Sequence, residues 1–243
     1  MTQSDQSAIH FNNVSYSVND VHILKEISGS ILEGKITTLV GPSGSGKTSL
    51  LKLCNGLISP TSGDVFILNE PITSYDPVQL RRLVGMALQN APMIKRSVYD
   101  NLKLPLTLQN KELSEEEAIV ALERVGLEKR FLHHQSEDLS GGQRQKVSIA
   151  RTLINRSQIL LLDEITSALD QTSVQEIESL ILKINQEYGV TIVWITHNLD
   201  QAKAIGDYTW VMMEGRVIET GTIDILNSPS NDLVRGFVTG GRL

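Results

Sequence analysis

Residues 41–48 read GPSGSGKT and fit the pattern G-x-x-x-x-G-K-[ST] at every position. The glycines allow backbone N–H groups to turn inward around phosphate oxygens, because they carry no Cβ. Lys47 is suited to place a positive charge on the β- and γ-phosphates, and the Thr48 hydroxyl can ligate Mg²⁺. A helix that begins here points its positive end at the anion. The stretch predicts a triphosphate-binding loop; the alternative is a glycine-rich turn without a ligand.

A second stretch, ILLLDE at residues 159–164, ends an apolar run in two adjacent acids. Where a protein has such a phosphate loop, an Asp at the end of a neighbouring buried strand holds the Mg²⁺, and Asp163 has that position. Glu164 is then available to polarise the water that attacks the γ-phosphate. A carboxylate on the metal is a poor base because the metal withdraws its electrons, which gives a reason for two acids. The alternative is a core strand whose acids mark its exit into water.

A third stretch, DLSGGQRQK at residues 138–146, places Ser140, Gly141 and Gly142 before a helical run. Exposed N–H groups at a helix start, beside a Ser hydroxyl, form an anion site. A second phosphate site in one chain suggests two surfaces that close on one ATP. Two identical chains that face each other head to tail form this arrangement twice. The alternative is a well-capped helix with no further role.

The segments around these stretches alternate between strand and helix patterns, which predicts an α/β fold with a mostly parallel sheet. Buried strands are expected at residues 36–40, 159–162 and 190–195, and a helix at about 47–55. From about residue 92 to residue 154 helical patterns dominate, and Ser114 with Glu117 forms a capping box. The length of 243 residues allows between one and two domains.

Composition narrows the class of protein. The chain has 243 residues, 40% apolar and 21% charged, which is typical of a globular domain with a sizeable core. A net charge of -6 argues against a general nucleic-acid binder. The single cysteine, Cys54, permits no internal disulfide and is expected to pack in the core. No signal peptide and no membrane-spanning run is predicted, so work at a membrane requires another chain.

Taken together, the stretches resemble the ATP-binding-cassette (ABC) ATPases over nearly the whole chain. Residues 41–48 are similar to their Walker A motif, LSGGQ at 139–143 to their signature, and residues 159–163 to Walker B. Glu164 matches the catalytic base, and SALD at 167–170 resembles the loop that communicates across the dimer. Gln89 matches the glutamine that follows a core strand, His197 the switch histidine, and Tyr16 the aromatic residue that stacks on adenine.

The resemblance implies a P-loop NTPase fold with a RecA-like core, an N-terminal antiparallel β-subdomain and an inserted α-helical subdomain. It implies one domain over residues 1–243, in which 1–91 and 155–243 form the core with the β-subdomain and 92–154 form the helical signature subdomain. It also implies ATP and Mg²⁺ as cofactors. The catalytic residues are expected to be Glu164, His197 and Gln89, and the metal ligands Thr48, Gln89 and Asp163. The expected nucleotide-binding residues are Tyr16, Gly41, Pro42, Ser43, Gly44, Ser45, Gly46, Lys47, Thr48, Ser49, Ser140, Gly141, Gly142 and Gln143.

The same resemblance implies two partners and no nucleic acid. One is a second copy of the chain, in a head-to-tail dimer around two ATP. The other is a transmembrane permease, which would hold the chain at the cytoplasmic face of the inner or plasma membrane. The permease is expected to dock between the core and the helical part, near Met93, Ile94, Val98 and Tyr99. The alternative is that these residues belong to an ordinary core.

Ile165 departs from the family, which usually has proline after the glutamate. Isoleucine keeps the backbone N–H and is β-branched, so the loop is expected to stay fairly stiff. The carboxylates of Asp163 and Glu164 are retained, so ATPase activity is expected to survive. DEITSALD and SVYDNL are also similar, more weakly, to bacterial cassettes of the Fet or YbbL-like type, which are linked to export of iron or other metals. The alternatives are the ATPase of a solute importer (phosphate or amino acid), a non-transport ABC ATPase, or a binding module without catalysis.

Overall fold

The computed structural model describes residues 6–240. The ends of the expected domain, residues 1–5 and 241–243, lie outside the described residues. Two sheets and eight α-helices make up the architecture of the described part. None of its helices combines the length and the apolar character needed to cross a membrane.

The larger sheet carries the predicted buried strands. It has six strands in the order β10-β9-β3-β8-β7-β6, parallel except for the antiparallel edge strand β10. Its strands are β3 (Ile36–Val40), β6 (Val84–Leu88), β7 (Ile159–Asp163), β8 (Thr191–Ile195), β9 (Tyr208–Met213) and β10 (Arg216–Thr222). Every residue of β3, β7 and β8 is buried, as expected of parallel strands that are covered on both faces.

The smaller sheet is antiparallel, with the order β2-β1-β4-β5, and forms the expected N-terminal β-subdomain. Its strands are β1 (Ser7–Val18), β2 (Val21–Leu32), β4 (Ser62–Ile67) and β5 (Glu70–Pro71). The pairing of β1 with β2 is interrupted by register shifts, and Asn13 and Glu26 have positive φ there. These irregularities break the two-residue alternation along both strands.

The helices pack on both faces of the larger sheet. They are α1 (Lys47–Cys54), α2 (Pro77–Leu83), α3 (Val98–Thr107), α4 (Glu115–Arg124), α5 (Gly141–Leu153), α6 (Gln171–Tyr188), α7 (Leu199–Ile205) and α8 (Asp232–Val238). Short 3₁₀ turns lie at Ile72–Ser74, Lys129–His133, Ser136–Asp138 and Ile223–Leu226. Cys54 lies on α1 and is 1% exposed, which confirms the prediction that it is a packing residue.

The chain between β6 and β7 is helical. Helices α3, α4 and α5 lie there, and α4 begins with the predicted capping box of Ser114 and Glu117. Their apolar faces share one hydrophobic cluster with the sheet, in which Leu122 and Val147 pack with Leu160 and Trp194. The domain boundaries at residues 92 and 154 stay a prediction.

Two regions differ from the sequence-based expectations. Val98 is completely buried, so its placement on a docking surface is wrong, because the first turn of α3 packs into the main cluster. Met93 and Tyr99 are partly buried against the same cluster. Beyond Thr222, where no element was expected, α8 packs Val234 against Leu226.

The carboxyl ends of β3, β6, β7 and β8 lie at one edge of the larger sheet. Leu88 pairs with Asp163, and Asp163 pairs with Ile195, so three strands end level with one another. Side chains that follow these strands therefore meet across long sequence distances. This edge is where an open α/β sheet binds its ligands.

Candidate active site

The loop at residues 41–48 connects β3 to α1, and glycine is required at two of its positions. Gly41 has a φ of +145°, and a Cβ there would lie 2.0 Å from the Met212 carbonyl oxygen. Gly46 has a φ of +98°, and a Cβ there would lie 2.7 Å from Leu24 Cδ2. The loop therefore keeps its backbone close to neighbouring strands. A cleft above it is lined by Ile23, Ser43, Gly44, Ser45, Gly46, Lys47, Thr48, Ser49, Glu164 and His197.

Lys47 is the buried cation of this cleft, with 5% of its surface exposed. Its Nζ donates to the carbonyl oxygens of Gly41 at 2.9 Å and Pro42 at 2.8 Å, and to Ser45 Oγ at 3.3 Å. Burial lowers the Lys47 pKa, and the negative charges of Glu164 and Asp163 act in the opposite direction. The nearby acids thus help to keep the ammonium charged where an anionic ligand needs it.

Thr48 and Asp163 are 115 residues apart in the chain and in direct contact in the fold. Thr48 Oγ1 donates to Asp163 Oδ1 at 3.1 Å, and Asp163 is 9% exposed. Burial raises the Asp163 pKa, the hydrogen bond from Thr48 lowers it, and the charge of Glu164 raises it further. A hydroxyl oxygen and a carboxylate oxygen are ligands that Mg²⁺ prefers. The pair fits a magnesium site that is completed by phosphate oxygens and water.

Glu164 and His197 are also brought together. His197 Nε2 lies 2.7 Å from Glu164 Oε1. A carboxylate can only accept, so the ionised pair requires the proton on Nε2. Glu164 has a φ of +51°, which costs a residue with a side chain about 1 kcal/mol. Its N–H donates to the Ile195 carbonyl oxygen at 3.2 Å, and this bond holds the conformation. Strained backbone conformations of this kind cluster at functional sites.

Gln89 follows β6 and reaches the loop after Glu164. Its Nε2 donates to Ser167 Oγ at 2.8 Å, and Ser167 Oγ donates to the Glu164 carbonyl oxygen at 2.9 Å. The side chain is therefore connected to the backbone that carries Glu164. The bond uses the amide nitrogen, whereas a metal contact needs the amide oxygen. The role of Gln89 as a metal ligand stays a prediction.

The LSGGQ stretch begins α5, with Ser140 at the N-cap. Ser140 Oγ accepts from the Gln143 N–H at 3.2 Å, and Gln143 Oε1 accepts from the Ser140 N–H at 2.9 Å. The helix cap is thus present, and the anion site stays a prediction. Gly142 packs against the first turn of α6, where a Cβ would lie 2.8 Å from Ser173 Oγ. Ser140, Gly141, Gly142 and Gln143 do not line the cleft above the phosphate loop.

Tyr16 lies on β1, half-buried, and pairs with Leu24 of β2. Leu24 is also the residue that a Cβ at Gly46 would contact, and its neighbour Ile23 lines the cleft. Tyr16 is therefore one strand away from the phosphate loop. Its stacking on adenine stays a prediction.

One residue that supports the site, Gln145, was missed at the sequence level. Gln145 on α5 is 2% exposed, and its Nε2 donates to the Leu88 carbonyl oxygen at 3.2 Å, directly before Gln89. The signal for its burial is its spacing from Gly142 and Ile149, which places all three on the inner face of α5.

Sequence comparison relates this chain to known proteins. The family model described as ABC transporter matches residues 24–167. The putative ABC transporter ATP-binding protein YjkB of Bacillus subtilis is 41% identical over 250 residues, which cover 99% of each chain. The methionine import ATP-binding protein MetN of Cupriavidus metallidurans is 39% identical over 226 residues, which cover 90% of this chain but 65% of MetN.

Solved structures agree. CbiO1 from Clostridium perfringens, part of the ABC transporter complex cbiONQ, matches with a TM-score of 0.84 and 30% identity, over 95% of this chain and 94% of its own. The dimeric ATP-binding cassette MJ0796, bound to ADP and Pi after hydrolysis, matches with a TM-score of 0.79 and 33% identity, over 88% of this chain and 98% of its own. This chain therefore belongs to the ATP-binding proteins of ABC transporters and is an ATPase of that family.

Proposed function

We propose that this chain hydrolyses ATP as a head-to-tail dimer and that the cycle of closing and opening drives a separate membrane subunit. The observation that carries the proposal is the meeting of two pairs at one sheet edge: Thr48 with Asp163 at 3.1 Å, and Glu164 with His197 at 2.7 Å. The first pair suits a metal, and the second suits a reacting water.

In this mechanism the phosphate loop binds the triphosphate. Backbone N–H groups of residues 43–48 surround the phosphate oxygens, and the Lys47 ammonium neutralises charge on the β- and γ-phosphates. Thr48 and Asp163 would hold Mg²⁺. When bound, the metal supplies positive charge that offsets the charge developing on the phosphate oxygens.

Glu164 accepts a proton from the attacking water as its oxygen bonds to the γ-phosphorus. The bond from that phosphorus to the β–γ bridging oxygen breaks, so ADP and inorganic phosphate are formed. His197 orients the carboxylate through its Nε2–H, and when ATP is bound this N–H can donate to a γ-phosphate oxygen in place of Glu164. We assign Gln89 to the same step, because its bond to Ser167 connects it to the backbone of Glu164.

The second half of each site comes from another copy. The four residues Ser140–Gln143 begin a capped helix and do not line the cleft above the phosphate loop of their own chain. A second copy, turned head to tail, would bring them to the γ-phosphate that this chain binds. The dimeric state of the cassette MJ0796 supports this arrangement.

The dimer would act on a transmembrane permease, and the chain would lie at the cytoplasmic face of the inner or plasma membrane. CbiO1 supports this proposal, since it is part of a transporter complex. We place the docking region around the half-buried Met93, Ile94 and Tyr99, without the buried Val98.

For the cargo, we propose a metal such as iron, moved outward, on the resemblance of DEITSALD and SVYDNL to metal-export cassettes. Amino-acid import is the second candidate. It is favoured by the 39% identity with a methionine import protein, of which this chain spans 65%.

Co-purification from detergent-solubilised membranes tests the coupling. We expect tagged full-length chain at native expression level to recover a multi-span membrane protein, identified by mass spectrometry. A solute-binding protein belonging to the same system would favour import over export. Recovery from the soluble fraction alone, without a membrane partner, would contradict the transporter assignment and favour a non-transport ABC ATPase.

A further inference from the structure

A buried glutamine, Gln201, lies behind the Glu164–His197 pair. It is on α7 and is 5% exposed. Its Oε1 accepts hydrogen bonds from Thr196 Oγ1 at 2.6 Å and from Thr166 Oγ1 at 3.2 Å. Its Nε2 donates to Glu178 Oε1 on α6 at 2.8 Å. One amide therefore joins α6, α7 and two loops at the catalytic edge.

The two threonines belong to the loops that carry the catalytic residues. Thr196 directly precedes His197, and Thr166 follows Glu164 by two positions. Both are buried, with 4% and 8% of their surface exposed. Together with the bond between His197 and Glu164, these contacts form a closed ring of residues that includes Gln201. A shift of its amide would therefore change the distance between the two catalytic side chains.

Gln201 is itself held in place. Its N–H donates to Asn198 Oδ1 at 3.1 Å, as part of the N-cap of α7. The Asn198 N–H donates to Thr196 Oγ1 at 3.1 Å, so this hydroxyl accepts one bond and donates another to Gln201. The short helix and the loop before it are thus one hydrogen-bonded unit with little freedom to adjust.

The chemistry of the position selects an amide. Its oxygen accepts from two hydroxyls, and its nitrogen donates to a carboxylate. Leucine offers neither atom. Glutamate could still accept from both hydroxyls, but it would bring a second carboxylate against Glu178, and two carboxylates at hydrogen-bond distance cannot both stay ionised.

We propose that Gln201 is a positioning residue for ATP hydrolysis, which fixes the loop of Glu164 against the loop of His197. It does so through Thr166 and Thr196 and touches no reacting atom. The proposal rests on the function proposed above. Because misplacement of a catalytic group by about 1 Å can cost on the order of 100-fold in rate, loss of this bridge acts on turnover.

The charges around the amide make a specific test possible. The cavity beside it, about 690 Å³ in volume, is lined by Glu164, Glu178, Asp200 and His197 among its titratable groups. Glu178 comes from α6 and Asp200 from α7, while Glu164 and His197 follow strands. A new carboxylate at position 201 would enter an acidic environment and would be tolerated only with a shared proton.

The experiment measures ATP turnover of the full chain for Q201E and for the exchanged pair E178Q/Q201E. At pH 8 we expect Q201E to lower kcat about 10-fold or more, with KM for ATP changed less than about twofold. Its kcat should recover towards pH 6, as the two carboxylates share a proton. The exchanged pair restores every hydrogen bond and the net charge, so its kcat should return to within about twofold of the original value.

Two controls separate positioning from stability. Q109L removes an amide that bonds to the Pro105 carbonyl oxygen and to Asn155, in the helical part. We expect it to lower Tm without changing kcat. If Q201E does not fold, Thr196→Val is measured instead, and a loss of kcat at unchanged KM is expected.

Full activity of Q201E at pH 8, or no recovery in the exchanged pair while its Tm is restored, would overturn the role of Gln201. Full kcat in Thr196→Val would do the same where that variant is the one measured. Failure of the original chain to hydrolyse ATP would instead contradict the proposed function. The two failures are therefore distinguishable.

Discussion

At the scale of single residues, burial of Asp163 lowers the stability of the chain, whereas its proposed role in metal binding needs the ionised carboxylate. It ends a completely buried strand, and its carboxylate has a hydroxyl, Thr48 Oγ1, as its hydrogen-bond partner. Burial raises its pKa, so the ionised form is less favourable in the folded chain than in the unfolded chain. Folded protein therefore binds the proton more tightly, and the free energy of unfolding decreases as pH rises through the ordinary Asp range towards the raised pKa.

Replacement of Asp163 by Asn should therefore stabilise the chain in the absence of nucleotide. We expect the free energy of unfolding to rise by roughly 1 kcal/mol at pH 7, because the desolvated charge is removed. The stabilisation that Mg²⁺ and ATP add should be lost at the same time, because an amide is a weaker metal ligand. Thermal unfolding with and without Mg²⁺ and ATP measures both effects. An undiminished Mg²⁺-dependent shift in Tm would contradict the role of Asp163.

Gly41 and Gly44 give a matched pair within one loop. Gly41→Ala combines a φ of +145° with a Cβ placed 2.0 Å from a backbone oxygen, so we expect it to cost about 3 kcal/mol or more. Gly44→Ala has a φ of +79° and open space around the new Cβ, so the expected cost is about 1 kcal/mol. Urea unfolding measures both, and equal losses would show that the close approach to Met212 does not constrain the loop.

At the scale of elements, α4 and α5 begin with the same capping box. Ser114 with Glu117 caps α4, and Ser140 with Gln143 caps α5. Only the second cap lies in the LSGGQ stretch. The comparison of the two caps separates the stability of a helix from a role in binding phosphate.

Ser114→Ala and Ser140→Ala should each cost about 1 kcal/mol in the free energy of unfolding, because each loses one N-cap hydrogen bond. ATP-dependent dimerisation, measured by light scattering, should weaken for Ser140→Ala alone. If both variants dimerise as the original chain does, α5 has a capped end and no anion site.

The elements also set the limit of prediction from sequence. The phosphate loop and strands β3, β7 and β8 were predictable, because a glycine-lysine pattern and continuous apolar runs leave few alternatives. Strands β1 and β2 were expected only through family resemblance, since bulges near Asn13 and Glu26 disrupt their alternation. Helix α8 has seven residues, fewer than the periodicity of a helical face needs.

Within the candidate site, the sequence predicted residues at the ends of apolar strands and missed the residues that support them. Asp163, Glu164 and His197 follow apolar strands, which marks them. Gln145 and Gln201 are single polar residues on helices, and only the fold reveals that they are buried and bonded to the loops that carry the candidate catalytic residues. Val98 is buried in the core and not exposed on a docking surface, because of the way α3 is rotated against the sheet. The sequence pattern does not show this rotation.

At the scale of the whole molecule, the two predicted phosphate-binding parts of the chain do not share a cleft. The cleft above the phosphate loop includes Glu164 and His197 but none of Ser140–Gln143. If Ser140–Gln143 bind phosphate as proposed, a complete site needs two copies, so dimerisation would follow ATP binding and dissociation would follow hydrolysis. The cargo was not predictable at this scale, because the membrane partner would make the contacts with it.

The replacement Glu164→Gln tests this account most directly. Gln keeps the size of Glu and can still accept from His197 Nε2–H, but it cannot accept the proton of the attacking water. We therefore expect ATP turnover to fall by about 100-fold or more, and ATP to convert the chain into a stable dimer on size exclusion. Unchanged turnover together with a monomer at saturating ATP would contradict both the assigned base and the head-to-tail clamp.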